Sequence, residues 1–312
     1  MLRHIICLLI ALSFLISGSA FSQQSTTAPT SDTISIEELI KKAMLRRSEY
    51  IQAFKDLSAE EAQKIEEYDY KGVKRRREIV SDLIIYQSPL DNSSRFEYRN
   101  VRLVDGKAVA GRDQRAEQLF ARLAKSKSIK KELERLNRES SRYDLDTKVS
   151  GYTLNQGLPL DERFSRSFRF TDAGVEKIDG HEVIVIQYQQ VSQNPELIIK
   201  LSSLPKKLQG AESLYRGRLW LDRETLRLRR EVQEWTINHP SLQSPLTFMK
   251  FEFKYANSRF EILTPTQITI STFDRGRDKA DGSAELLLGG KTTFEYGVFS
   301  RFEVTPDFQS NQ

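Results

Sequence analysis

Beyond residue 22 the chain carries two histidines, His181 and His239, and no cysteine. Thiolate nucleophiles and disulfides are therefore excluded from that stretch, and a zinc or copper site would lack its usual nitrogen and sulfur ligands. His181 follows an Asp-Gly pair and His239 precedes Pro240, so both read as turn residues. Three short matches to reactive motifs fail on their own chemistry. In "SLPK", Ser203 to Lys206, Pro205 opposes the helix that would bring the lysine amine onto the serine. "GGKTT", 289 to 293, places Glu285 where a phosphate loop needs its first glycine. "DRGRDKADG", 274 to 282, interleaves three cations with the acids that a calcium loop would need. A carboxylate pair of the glycosidase kind stays open, because 43 acids offer many pairs. No catalytic residue, metal ligand or cofactor is assigned from these residues.

Side chains that could bind rather than react are more prominent. "FMKFEFKY", 248 to 255, alternates, with Met249, Phe251, Phe253 and Tyr255 on one face and Lys250, Glu252 and Lys254 on the other. Phe168 and Phe170 share one parity of "RFSRSFRF". "YRGRLWLDRETLRLRREVQEW", 215 to 235, reads as two strands around a "DRET" turn. Pairing Leu219 and Leu221 with Leu226 and Leu228 gives an aliphatic face, and Trp220 shares the other face with Arg218, Arg227 and Arg229. The candidate ligand-binding set is thus Phe168, Phe170, Met249, Phe251, Phe253 and Tyr255 on one side of a curved sheet, with Arg216, Arg218 and Trp220 meeting a headgroup at its rim.

The elements that would hold these residues follow from periodicity. Ser35 with Glu38 matches a capping box, and Ile36, Leu39, Ile40, Ala43, Met44, Tyr50, Ile51, Phe54 and Leu57 recur at helical spacing. "EIVSDLIIYQ", 78 to 87, is apolar on both parities, as is "VIVIQY", 183 to 188. Such strands are covered on both faces. Asp105-Gly106 and Asp179-Gly180 mark two-residue hairpins. Residues 113 to 143 revert to helical spacing through Leu119, Phe120, Leu123, Ile129, Leu133 and Leu136. "TPTQITISTF" pairs with "FMKFEFKY", and "KTTFEYGVFSRFEV" closes the sheet. The fold class is α+β, a large curved antiparallel sheet, open or half a barrel, covered by helices.

The N-terminal "MLRHIICLLIALSFLISGSAFSQQ" has the layout of a secretory signal peptide, with a basic start at Arg3, an apolar run from Ile5 to Ile16 and small residues at Gly18, Ala20 and Ser22. Cleavage is expected near Ala20 or Ser22, and it lowers the net charge from +5 to +4 by removing Arg3. The only cysteine, Cys7, lies inside the apolar run, so a lipid-anchor cysteine at the cleavage site is absent. The expected division is a signal peptide at 1–22, a flexible leader at 23–33, one α+β domain at 34–305 with a helical insert at 113–143, and a tail at 306–312. The location is periplasmic or secreted, with no stable membrane span after cleavage. The basic run "KGVKRRRE", 71 to 78, and the stretch from Arg112 to Lys148, with eleven cations and seven anions, suit a solvated face or an anionic envelope surface. Without aromatic interleaving they do not suggest nucleic acid.

"LTPTQITISTF", "GGKTTFEYGVFSRFEV" and "GRLWLDRETLRLRR", together with an N-terminal helix and a central helical segment, resemble the LolA/LolB-like outer-membrane lipoprotein-sorting superfamily. More narrowly, "RFEYRNVRLVDGKAVAGRDQRAEQLF", "ESSRYDL" and "GRLWLDRET" resemble a group of uncharacterised secreted proteins typical of acidobacteria, over roughly residues 48 to 237. The superfamily resemblance implies an incompletely closed barrel with a helical lid and a cavity for lipid or lipoprotein acyl chains. It carries no functional residue over by motif. The expected function is a non-enzymatic binding protein, with an envelope scaffold or a carboxylate-dependent hydrolase as alternatives.

Overall fold

The computed structural model describes residues 34–87, 95–125, 129–145, 153, 156–194, 197, 212–238, 245–278 and 284–301. The expected signal peptide, leader and tail, the Ser203 to Lys206 motif and His239 lie outside these residues. So do the side chains of Phe120, Leu123, Ile129 and Leu133.

The chain begins with helix α1 (Ile36–Ala53), capped by Ser35, whose hydroxyl accepts from the Glu38 amide at 3.2 Å. The helix stops earlier than its apolar spacing suggests. Asp56 takes a left-handed φ of 51°, and Leu57 opens strand β1 (Leu57–Asp69) instead of continuing the helix. "LSAEEAQKIEEYD" has the composition of a helix, yet Leu57, Ala59, Glu61, Gln63 and Ile65 are buried at every second position. Tertiary pairing has overridden local propensity. β1 sits between strand β2 (Gly72–Gln87) and strand β11 (Ala284–Tyr296), hydrogen-bonded to both.

Strands β3 (Arg95–Val104) and β4 (Lys107–Ala108) follow, then helices α2 (Arg112–Lys125) and α3 (Ile129–Ser140), and the single turn α4 (Glu162–Ser165). Strands β5 (Phe168–Ile178), β6 (His181–Gln190), β7 (Glu212–Asp222), β8 (Leu228–Asn238), β9 (Leu246–Asn257) and β10 (Leu263–Asp278) complete the set with β11 and β12 (Ser300–Arg301). All strands belong to one antiparallel sheet in the order β4-β3-β2-β1-β11-β10-β9-β8-β7-β6-β5, with β12 beside β1. The ends of that order, β4 and β5, do not meet, so the curved sheet is not closed. Both expected Asp-Gly hairpins form, with φ of 50° and 75° at Asp105-Gly106 and 49° and 83° at Asp179-Gly180. Positive φ at both residues is the geometry that suits the twist of the flanking strands. "GGKTT" lies within β11, where Gly290 pairs with Glu67. From Ser35 on, the chain is one compact unit.

The helices divide their work between the two faces. Leu39, Ile40 and Ala43 of α1 join Ile186, Leu219, Phe251, Phe253, Ile268, Ile270 and Phe294 in the main core on one face of the sheet. Tyr50 and Phe54 extend that cover to Leu83 and Ile85. The insert helices take the other face. Leu119 and Leu136 pack on Phe96 and Tyr98, beside Ile84 and Tyr86, so α2 and α3 cover only the β2–β3 end. This explains why "EIVSDLIIYQ" is apolar on both parities. On β6 the outward Val183 and Val185 are instead sheltered by Trp220.

The β7–β8 register differs from the sequence expectation. Leu221 pairs with Leu228, but a bulge follows, so Trp220 faces Arg230 and Leu219 faces Glu231. A carboxylate thereby enters the core face. The same pairing leaves no room at Gly217, where an added Cβ would lie 2.0 Å from the Val232 carbonyl oxygen and 2.6 Å from the Tyr188 hydroxyl. The obstacle is ladder backbone, which cannot move aside cheaply. Gly217→Ala is expected to cost about 2 kcal/mol in urea unfolding, and an unchanged midpoint would contradict this packing.

Candidate functional site

A cleft of about 220 Å³ opens beside α1, where the helix meets the β7–β8 turn, the β9–β10 connection and the segment around Gly157. Its walls include Ala43, Tyr50, Ala53, Leu226, Leu228 and Ile262. Its mouth carries Arg46 and Arg227, with Glu49 and Glu261. The β7–β8 turn reaches the cleft because Asp222 folds it: the Asp222 carboxylate accepts from the Thr225 amide and hydroxyl at 2.9 Å each and from Arg229 Nε at 2.6 Å. Leu226 is thereby held at φ 56°, an unusual conformation for leucine, with its side chain against the main core.

Two charged groups hold the inner wall. Arg47 donates from Nε to the Gln156 carbonyl at 2.9 Å and pairs with Asp161 at 2.9 Å, both side chains being almost fully buried. Burial pulls the Arg47 guanidinium below its ordinary range, while Asp161 and Glu231 oppose the loss of its charge. Burial works to raise Asp161, but the Arg163 hydrogen bonds and the Arg47 charge outweigh it and hold that carboxyl at about 2. Beneath them Glu231 is fully buried, accepting from the Gly157 amide at 2.8 Å, from Gln233 Nε2 at 3.0 Å and from the Tyr188 hydroxyl at 3.4 Å. Desolvation pushes its carboxyl up to about 7. Gly157 is itself left-handed, at φ 59°, and a Cβ added there would meet the Arg47 stem, Leu160 and Leu228.

A second polar cluster is sealed in the sheet. Arg99 donates to both oxygens of Glu61, at 2.6 and 2.9 Å, and pairs with Glu97. A glycosidase pair must be reached by a sugar and by water. Here Arg99 occupies the space between the carboxylates, and all three side chains are at most 2 % exposed.

The expected ligand-binding residues fall into two groups on opposite faces. Phe168, Phe251, Phe253 and Tyr255 lie in the main core, with Phe170 and Met249 packed at its border. The three β9 rings form a continuous file, with Phe251 to Phe253 at 6.2 Å and Phe253 to Tyr255 at 6.4 Å. None of the six lines the cleft. Arg216, Arg218 and Trp220 face the other way and line an open groove of about 670 Å³ on the outer face of the sheet. The sheet thus separates these arginines from the aromatic file. Trp220 is buried, donating to Glu176 at 2.8 Å and covered by the Arg230 guanidinium at 4.7 Å. The residues that shape the cleft, Arg47, Gly157, Leu226 and Glu231, carry no motif.

Among the described residues no group of three or more His, Asp or Glu side chains is placed to hold a metal ion, and no helix is long and apolar enough to cross a membrane.

No protein-family model and no curated protein matches the sequence. Solved structures do align. A DUF1329 family protein from Desulfovibrio piger shares 11% identity over 86% of this chain and 95% of that one, with a TM-score of 0.35. A putative outer membrane lipoprotein-sorting protein domain from Vibrio parahaemolyticus shares 11% over 87% and 95%, with a TM-score of 0.35. A LolA superfamily protein from Nitrosomonas europaea shares 9% over 87% and 97%, with a TM-score of 0.30. These matches do not bear on the narrower acidobacterial likeness. The fold itself, a large antiparallel sheet that does not close, stands on the strand order of this chain.

Proposed function

We propose that the protein is a non-enzymatic binding protein of the cell envelope, taking an amphipathic anionic ligand such as a lipid or a lipoprotein acyl chain. The apolar part enters the cleft beside α1 and the headgroup meets the arginines at its mouth. The observation that carries this reading is the pairing of apolar walls, Leu226, Leu228, Tyr50 and Ile262, with Arg227 at the mouth, which has no carboxylate partner among the described residues. Such a site gives orientation through the charge and affinity through apolar burial. The volume lies below the ~300 Å³ at which ligand pockets usually begin, so it suits one short apolar segment rather than a whole lipid. The secretory layout of the first 22 residues supports a periplasmic or secreted location.

The test is binding of a fluorescent fatty-acyl probe, with mass spectrometry of an organic extract of protein purified without detergent. Leu226→Asn is the informative variant. Asparagine tolerates positive φ better than leucine, so the turn is kept while the cleft loses an apolar wall. Probe affinity is expected to fall about tenfold, since one apolar side chain is worth ~1.5 kcal/mol or more, and the lost packing on the core costs stability by a similar ~1–2 kcal/mol that leaves the protein folded. A wild type that never binds the probe, or a variant that binds as well, counts against the cleft.

A further inference from the structure

From the groove on the outer face of the sheet, we infer that the protein has a second binding site, independent of the cleft, whose ligand is an acidic polysaccharide. Two cross-strand rows build it. The first runs Arg169, Gln189, Arg216, Glu234 and Lys250 across β5, β6, β7, β8 and β9. The second runs Thr171, Gln187, Arg218 and Val232 across the first four of these strands. The groove they enclose measures about 670 Å³ and is lined by five cations and two carboxylates.

Most of that charge is committed internally. Arg216 pairs with Glu234 at 2.7 Å, Lys250 with Glu252 at 2.7 Å, and Arg230 lies over Trp220 while facing Glu252 at 3.5 Å. Arg169 and Arg218 are different: both are exposed, and neither has a carboxylate partner among the described residues. They stand on either side of β6 and one row apart, which places their Cα atoms roughly 12 Å apart. That spacing suits charges carried along a chain better than a single small anion. The two guanidiniums are free to fork onto carboxylate, sulfate or phosphate groups.

The neutral residues between them select the kind of chain. Gln187, Gln189 and Thr171 are exposed and offer donors and acceptors side by side. A sugar hydroxyl needs both, whereas a bare polyanion needs donors only. A peptide partner would bind a sheet most readily through unpaired backbone. Across the floor of the groove that route is closed, because β6, β7 and β8 each have a hydrogen-bonded strand on both sides, and only β5 at its margin is an edge strand. Recognition in the groove therefore runs through side chains. No apolar residue projects from it to insert into a bilayer, and the groove is a depression rather than a plane.

Titration calorimetry with the whole protein at about 150 mM salt, where exposed charges beyond roughly 8 Å are screened, separates the alternatives. The probes are polygalacturonate, heparin, neutral dextran, polyglutamate and phosphatidylglycerol vesicles. Arg169→Gln/Arg218→Gln is compared with Lys41→Gln/Lys74→Gln, which removes the same charge from exposed positions outside the groove. The expected result is saturable binding of polygalacturonate or heparin, at least about tenfold tighter than polyglutamate. The groove variant should weaken it about a hundredfold and the control variant should not, because each charged hydrogen bond is worth ~1.5 kcal/mol or more. Carboxylated and sulfated glycans are the two sources of the same chemistry, and the tighter of the two names the source. Absence of binding to both glycans, equal weakening in the two variants, equal affinity for polyglutamate, or binding only to vesicles would each overturn the inference. Loss of acyl-probe binding with glycan binding intact would overturn the cleft and leave the groove standing.

Discussion

Arg99→Met is expected to destabilise the protein by about 3–5 kcal/mol, the cost of leaving buried carboxylates without their cation. Arg99 is 2 % exposed and bonds Glu61 of β1 and Glu97 of its own strand, with the Phe294 ring of β11 at 5.2 Å. The cluster reaches further through backbone groups: the Arg99 amide donates to Ser140 Oγ at 3.1 Å, and the Thr153 amide donates to Glu97 at 3.1 Å. Two carboxylates outweigh desolvation and keep Arg99 charged, while burial pushes Glu61 up despite its partner. Removing the guanidinium leaves the carboxylates facing each other. Glu61, which burial already holds above its ordinary range, can then escape only by taking up a proton, so the deficit of the variant should be smaller when measured at about pH 5 than at about pH 8. Glu61→Met/Glu97→Gln/Arg99→Met, which removes the charges together and keeps an acceptor for the Thr153 amide, is expected to recover most of the loss. Urea unfolding of both variants at the two pH values decides the matter. A single variant within 1 kcal/mol of wild type, about the median worth of an exposed pair, would show that the cluster is solvated.

That cluster also shows what a reading of the sequence can reach. The sheet, its hairpins and the aromatic file on β9 were legible, because alternation in "FMKFEFKY" and the Asp-Gly pairs are local signals. β1 was not. Its inward residues include Glu61 and Gln63, which look like a solvated helix face until Arg99 and Asp144 are brought to them from 38 and 81 residues away. Long-range pairing of polar groups leaves no trace in periodicity. The β7–β8 hairpin forms with its four leucines on the core face, but its register was missed for a related reason: one bulge between Trp220 and Leu221 shifts the arginines that oppose the tryptophan and turns Glu231 inward. Arg216 and Arg218 line one groove, yet parity within one strand does not say which face meets α1. The cleft was wholly illegible, since its walls come from four segments joined only by the fold.

Glu231 gives the second large effect. Its carboxyl is raised from 4.5 to about 7 by burial, with Gln233, the Gly157 amide, Arg47 and Tyr188 opposing the rise. A folded-state value above the unfolded one means that the folded protein binds the proton more tightly. The corresponding stability is fully present below about pH 4.5 and is lost as pH rises through about 7, an amount on the order of 3 kcal/mol. Glu231→Gln cannot ionise and should lose this dependence. Its amide oxygen can still accept from Gly157, and its NH₂ can face Tyr188 if Gln233 turns its own amide and releases the 3.4 Å bond from Trp235. That rearrangement costs about 1 kcal/mol at every pH, so it displaces the curve without tilting it. The difference between variant and wild type should therefore climb in favour of glutamine from about pH 4.5 to pH 8, whatever its starting sign. Chemical denaturation in a pH series measures this directly. Parallel curves would mean that Glu231 is reached by water in the folded protein. The Gly157 turn that it pins, and with it the inner wall of the cleft, would then be open.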